Sequence, residues 1–342
     1  MKHIRVLLSC LLVLALASCE RALGEKDTPA NPVSVFDYLW NKLDQQYAFF
    51  DVKGIDWDSV YEVYRPKVYD AMTDDSLFSV CAAMLNTLED GHVNLWSGFD
   101  VSRSDSLYYK MIEGSNFDES VVLLHYLTAY GHTTGGFRHN AIRNGKVAYI
   151  RYGSFSSTIT NADLRYIVNL YKDCKGLILD LRDNGGGSLS NVIRLLGIFD
   201  NHHQELFKSQ IKSGPGHDEF TELRTVYAAD SSLLGQQPYM KPVAVLIDRG
   251  SFSATSFFAV ATQGYGNLKL FGDLTGGGMG LPNGGILPNG WNYRFSITRT
   301  IANDGGNYEN GVPPAERVFL DPTLTAQGID NIIETAADWI VQ

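Results

Sequence analysis

Apolar residues in the first third of the chain recur with a helical period. Phe36, Leu39, Trp40, Leu43 and Tyr47 form one stripe, and Leu77, Phe78, Cys81, Met84, Leu85 and Leu88 form another. Positions three and four apart share a helix face, so each stripe predicts a helix packed on a core. Residues 56–71 read as a further helix, kinked or broken at Pro66, which lacks an N–H and clashes with the preceding turn. Between 91 and 145 the pattern dissolves into turn-rich loops with a strand-like run at 120–124. Beyond 146 it changes again. Runs at 147–151, 177–181, 243–247 and 268–271 are short, continuous and apolar, as strands buried on both faces are. They alternate with amphipathic segments, which predicts an α/β core, and a last helix is expected from near Ile329 to Trp339.

Two strand-to-helix junctions carry candidate chemistry. After the run at 243–247 the chain turns through Asp248-Arg-Gly-Ser-Phe-Ser253 into an alanine-containing apolar segment. A hydroxyl at such a junction sits by the first turn of a helix, where unpaired N–H groups and the helix dipole favour developing negative charge. Ser251 or Ser253 serving only as an N-cap is the plainer reading of that turn alone. The run at 177–181 ends in Asp180-Leu-Arg-Asp183-Asn184-Gly185-Gly186-Gly187. Consecutive glycines let a backbone approach a ligand closely and turn N–H groups toward it. No Gly-Lys-Ser/Thr follows and GxGxxG spacing is absent, so an oxyanion hole of main-chain amides fits better than a phosphate loop.

Taken together, these segments resemble the S41 serine peptidases, the carboxy-terminal processing or tail-specific proteases. The resemblance extends through Leu88-Glu-Asp-Gly-His92, Val147-Ala-Tyr-Ile-Arg-Tyr-Gly and Tyr308-Glu309-Asn-Gly-Val-Pro-Pro314. It implies an N-terminal helical subdomain (32–90) followed by a crotonase/ClpP-like spiral ββα core (91–342). It also implies a nucleophile at Ser253 and oxyanion donors among the N–H groups of Ala254, Gly187 and Gly186. The best-known branch takes its base from a lysine in Thr-Phe-Gly-Lys-Gly. This chain reads Thr275-Gly-Gly-Gly278-Met, and Lys269 lies on the wrong side of that turn. The chain is closer to the tricorn-like branch, whose base is an upstream histidine and whose downstream glutamate orients it. That assigns His92 as base and Glu309 as orienting acid. A neutral imidazole near pH 7 suits the task, because a hydroxyl at its free pKa is a poor nucleophile. Gly91 replaces the serine that precedes the histidine in that branch, and Ser256 replaces the glutamate usual after the nucleophile. These departures sustain a second reading, a catalytically silent member that binds peptides or small apolar ligands in the same cleft; another acyl-transfer or hydrolase activity on Ser253 is a third. Asp180 and Arg182 are expected to form a structural ion pair, with Asn184 shaping the glycine loop.

Other constellations are weaker. His202 and His203 near Asp200 and Glu205 lack zinc-ligand spacing and read as a solvated loop; no metal or cofactor is expected. The interval 91–145 shows neither the carboxylate-binding loop of a PDZ domain nor room for one. The N-terminus runs from Lys2 and Arg5 into an apolar stretch ending Leu16-Ala-Ser-Cys19. That stretch is shorter than the about 20 residues that span a bilayer and has the charged start of a secretory signal. Its ending resembles a bacterial lipobox, so residues 1–18 are expected to be a lipoprotein signal, Cys19 the lipidated residue and 19–31 a tether. This places the protein on the outer membrane of a diderm bacterium, periplasmic or surface-facing, with polypeptides as substrates. Cys81 and Cys174 are expected to be buried free thiols. The formal net charge of −10 argues against nucleic acid, and 44% hydrophobic residues suffice for a sizeable core.

Overall fold

The computed structural model describes residues 28–104, 116–129, 131–199, 203–235 and 237–342. Residues 1–27, Cys19 included, lie outside these, as do Asp200 and His202.

The N-terminal region is helical: α1 (Pro32–Gln46), α2 (Phe50–Lys53), α3 (Trp57–Tyr64) and α4 (Asp74–Asn86). Asn31 caps α1 by accepting the Ser34 N–H, and proline opens that helix, where its missing donor costs nothing. Trp40 and Trp57 stack at 6.2 Å and exchange indole N–H bonds with each other's carbonyl, which clamps α1 to α3. Helix α3 stops at Tyr64 and gives way to a 3₁₀ turn at Arg65–Lys67, the break required at Pro66. Both sequence stripes are buried in one apolar cluster with Leu95, Leu287, Trp291, Tyr293 and Phe295.

Strand β1 (Asn94–Trp96) follows, then α5 (Glu119–Val121), β2 (His132–Thr134), β3 (Phe137–Ile142), β4 (Val147–Tyr152), α6 (Asn161–Leu170), β5 (Gly176–Asp180) and α7 (Leu189–Leu196). Next come β6 (Glu205–Ile211), β7 (Arg224–Tyr227), β8 (Val243–Ile247), α8 (Ala254–Ala261), β9 (Leu268–Gly272), β10 (Pro282–Ile286), β11 (Asn292–Ser296), β12 (Thr298–Ile301) and β13 (Glu316–Arg317). Helices α9 (Pro322–Thr325) and α10 (Asn331–Val341) close the chain. A seven-stranded sheet of order β13-β9-β8-β5-β4-β3-β2 forms the core. It is parallel from β13 to β4 and antiparallel from β4 to β2. Every residue of β5 and β8 is buried. Alternation along β8 sends Val243, Val245 and Ile247 into the cluster shared with α6, α7 and α8, and Ala244 and Leu246 into the cluster with α10. The strands therefore read as unbroken apolar runs because helices cover both faces.

Two expectations need correction. The run at 120–124 is helical: α5 continues as a π-helical turn, Val122–Leu127. Asp118 caps it through the Val121 N–H, and Val121, Val122, Tyr126 and Leu127 face the α10 cluster, so packing overrides the strand propensity of two valines. The region beyond 146 is also not purely alternating. Two antiparallel three-stranded sheets, β1-β11-β10 and β12-β6-β7, are added to the core. Of the interval between His92 and β4, the described residues hold a strand, the short helix and the β2–β3 hairpin, with no separate PDZ unit among them. Cys81 and Cys174 are buried free thiols, and burial pushes the Cys81 thiol up to about 12.

Candidate active site

Ser253 lies between β8 and α8 with φ +56° and ψ −118°, a left-handed backbone that a non-glycine residue adopts at a cost. Bonds on each side hold it there. Its N–H donates to Gly277 O at 2.9 Å, its carbonyl accepts from Phe257 N at 3.1 Å, and the Phe252 N–H donates to Asn184 O at 3.0 Å. The turn is thus pinned to the glycine loop after β5. Asn184 completes the tie, accepting the Gly186 N–H on Oδ1 at 3.0 Å and donating to Tyr152 O at 2.7 Å. Gly186 and Gly187 have φ of +97° and +140°. A Cβ at Gly186 would stand 2.8 Å from Ser253 Cβ and 2.9 Å from Ala254 N, and one at Gly187 would stand 2.2 Å from Ser156 N. Only glycine permits that approach.

Of the three amides expected to serve as oxyanion donors, Gly186 is committed to Asn184. The N–H of Ala254 belongs to the first turn of α8, which has no acceptor for it. Neither it nor the Gly187 N–H is used in the backbone bonds found among the described residues.

His92 comes from the turn after α4, 161 residues before Ser253, and its Nε2 stands 3.0 Å from Ser253 Oγ. The imidazole is buried, and burial lowers its pKa; Asp90 opposes that shift and Arg294 adds to it. The Gly280 main chain approaches the ring and favours its charged form, but outside bonding geometry, so Nδ1 has no bonded partner among the described residues. Glu309 makes no hydrogen bond to the ring. Its Oε2 accepts the Met279 N–H at 2.7 Å, and Oε1 lies 4.0 Å from Lys53 Nζ. Burial drives the Glu309 carboxyl well above the usual range; the Asp90 charge adds to this and Lys53 opposes it.

Sequence reading did not assign Asp90. Its Oδ1 accepts the His92 N–H at 2.7 Å, and its Oδ2 accepts Tyr47 O–H at 3.0 Å and Ser296 O–H at 3.1 Å. An aspartate two residues before a histidine is the available signal, since Asx turns bond in that register; nothing in the sequence points to Tyr47 or Ser296. Phe252 was also missed. Its ring packs on His92 at 4.9 Å, and it accounts for both unusual glycines. A Cβ at Gly91 would lie 2.7 Å from Phe252 Cζ, and one at Gly278, where the other branch has lysine, 2.4 Å from the same ring. The ring therefore fills the space a lysine base would need. Ser256 is buried and donates to Thr275 Oγ1 at 3.0 Å, while Lys269 pairs with Glu316 at 2.7 Å. Phe252 also lines a cavity of about 500 Å³ with Val52, Lys53, Ile55, Leu88 and Glu309.

The Asp180–Arg182 pair is structural as expected, with both side chains fully buried and a second bond from Arg182 to Asp330 at 2.9 Å. Burial would raise the Asp180 carboxyl, but the Arg182 charge reverses this and holds it below its usual range. Arg294 donates to Asn94 Oδ1 at 2.8 Å. His203 stacks on Tyr227 at 4.8 Å, and no metal-binding group of side chains occurs among the described residues.

Comparison with known proteins agrees with this architecture. The crystal structure of a candidate peptidase from Parabacteroides merdae is 35% identical, covers 92% of this chain and 98% of its own, and superposes with a TM-score of 0.86. The tricorn protease structure, at 15% identity, shares the fold with a TM-score of 0.58 over 91% of this chain and 36% of its own. The carboxy-terminal processing protease CtpA of Bacillus subtilis is 24% identical over 53% of this chain, which spans only 37% of that relative's length. The model of the tricorn protease C1 domain matches residues 29–86. The model of peptidase family S41 matches residues 146–318, half of the chain, and the chain belongs to that family.

Proposed function

We propose that this chain is a serine endopeptidase that cleaves polypeptides through an acyl-enzyme on Ser253. The carrying observation is the 3.0 Å contact between His92 Nε2 and Ser253 Oγ, made across 161 residues of sequence. Ser253 Oγ attacks the scissile carbonyl while His92 Nε2 takes its proton, and the oxyanion formed accepts the N–H groups of Gly187 and Ala254. His92 then passes the proton to the leaving amine as the C–N bond breaks. Water, deprotonated by the same nitrogen, attacks the ester and releases the acid and the free hydroxyl. A base of this kind contributes roughly 10² to 10⁴ in rate, and one oxyanion donor about 10² to 10³. Glu309 serves through the main chain, fixing the Met279–Gly280 segment beside the imidazole. The cavity beside Phe252 offers room for a substrate side chain. The lowered His92 pKa keeps the base neutral, so the acid limb of kcat/KM is expected below the ordinary imidazole value of about 6.5.

Casein hydrolysis with product mapping tests this reading. Wild type is expected to cleave, and Ser253→Ala and His92→Ala are each expected to lose cleavage. An inactive wild type, or full activity in Ser253→Ala, would sink it in favour of the silent binding module.

We further propose an envelope location through a lipid on Cys19, on the strength of the sequence at residues 1–19 alone. Cys19→Ser is expected to move the protein from the membrane to the soluble fraction; retention in the membrane would refute the anchor.

A further inference from the structure

We infer that Asp90 is the anion that positions His92 and stabilises its charged form, which makes the N-terminal helical region a working part of the site. The inference rests on the Ser253–His92 reading above. Asp90 is 2% exposed and stands where three elements meet. Tyr47 follows α1, Ser296 ends β11, and His92 continues from the Asp90 turn itself. Each contributes a donor to the carboxylate, two hydroxyls and one amide, all between 2.7 and 3.1 Å. A buried carboxyl surrounded by donors is suited to carrying charge. It also fixes the His92 backbone directly through the amide, whereas the ring has its Nδ1 unbonded among the described residues.

Glu309 is the other buried carboxyl. It accepts the Met279 amide, pairs with Lys53 at 4.0 Å and makes no bond to His92. Burial and the Asp90 charge together favour its neutral form. Of the two acids, Asp90 is the one that bonds the His92 segment and collects three donors. When His92 takes the Ser253 proton, the new imidazolium then forms next to the Asp90 charge. Of the charged and titratable groups, Asp90 and Arg294 act on the ring, Tyr47 and Glu309 act on Asp90, and Lys53 acts on Glu309. Asp90 makes no hydrogen bond to the ring among the described residues and acts as a positioning residue.

The test is the pH dependence of kcat/KM for the full chain on a fluorogenic peptide built around a mapped casein cut. Removing the charge with Asp90→Asn is expected to lower kcat roughly 10- to 100-fold, part of the base's whole contribution, with KM little changed. The acid limb is expected to move to lower pH, because the imidazolium loses its neighbouring anion. Tyr47→Phe withdraws one of the donors that suit Asp90 to its charge, so its limb is expected to move the same way, to lower pH, but less, with a smaller fall in kcat. It serves as the readout if Asp90→Asn does not fold. A purely structural role predicts lower stability with both limbs at the wild-type position, and that result would overturn the inference. So would a limb that moves in Glu309→Gln but not in Asp90→Asn. Failure of the Ser253–His92 reading is recognised separately, by activity surviving Ser253→Ala.

Discussion

Two buried polar clusters flank the Ser253 turn, and they are built on opposite plans. Around Arg182, every strong group is matched. The guanidinium meets Asp180 at 2.6 and 3.0 Å, Asp330 at 2.9 Å and Asn116 O at 2.9 Å, and Tyr149 O–H completes Asp180 at 2.6 Å. Around His92, matching is incomplete. One imidazole nitrogen has no bonded partner among the described residues, Glu309 is held toward its neutral form, and Ser253 keeps a strained backbone. A cluster that holds a fold together gains by satisfying every donor and acceptor, because each orphan costs desolvation energy. A site that moves a proton needs spare capacity and a group whose charge state can change. The difference between the clusters is therefore itself an argument about which one reacts.

Substitutions can break or sharpen that contrast. The largest effect is expected from Ser253→Ala, which should cost at least about 10⁴ in kcat while leaving the melting temperature near wild type, since only one half-buried hydroxyl is removed. The Arg182 cluster should respond in reverse. Arg182→Met leaves Asp180 and Asp330 buried without their cation, and unfolding should become easier by about 3–5 kcal/mol, read by urea titration. A change under about 1 kcal/mol there would mean that the cluster is less dry than its burial implies. Gly91→Ala, between the two, should cost about 1–3 kcal/mol as the new methyl meets the Phe252 ring, and should also reduce turnover because that ring abuts His92. An alanine variant with wild-type stability and rate would show that Phe252 has room to shift.

How much of this was legible beforehand varies by residue. Ser253, Gly187 and Ala254 sit at strand-to-helix turns whose composition announces them, because the backbone requirement there is local. His92 is found through a motif that also holds its partner Asp90, two residues before it. Glu309, expected to orient the imidazole, makes no bond to it and accepts the Met279 amide. Asp90 stood in the same motif without an assigned role. The helical turn at 122–127 was misread because valines favour strands until a sheet face is offered to them.

The sequence by itself determined the helical stripes, the buried strands, the glycine loop and the strand-to-helix turn at Ser253, since each depends on neighbours a few residues apart. Only the tertiary structure decided that Asp90 and not Glu309 bonds the His92 segment, that the Phe252 ring crowds Gly91 and Gly278, and that Tyr47 bonds Asp90. The Tyr47 and Ser296 bonds to Asp90 span 43 and 206 residues, and no local pattern encodes the distance between two side chains that only the folded chain brings together.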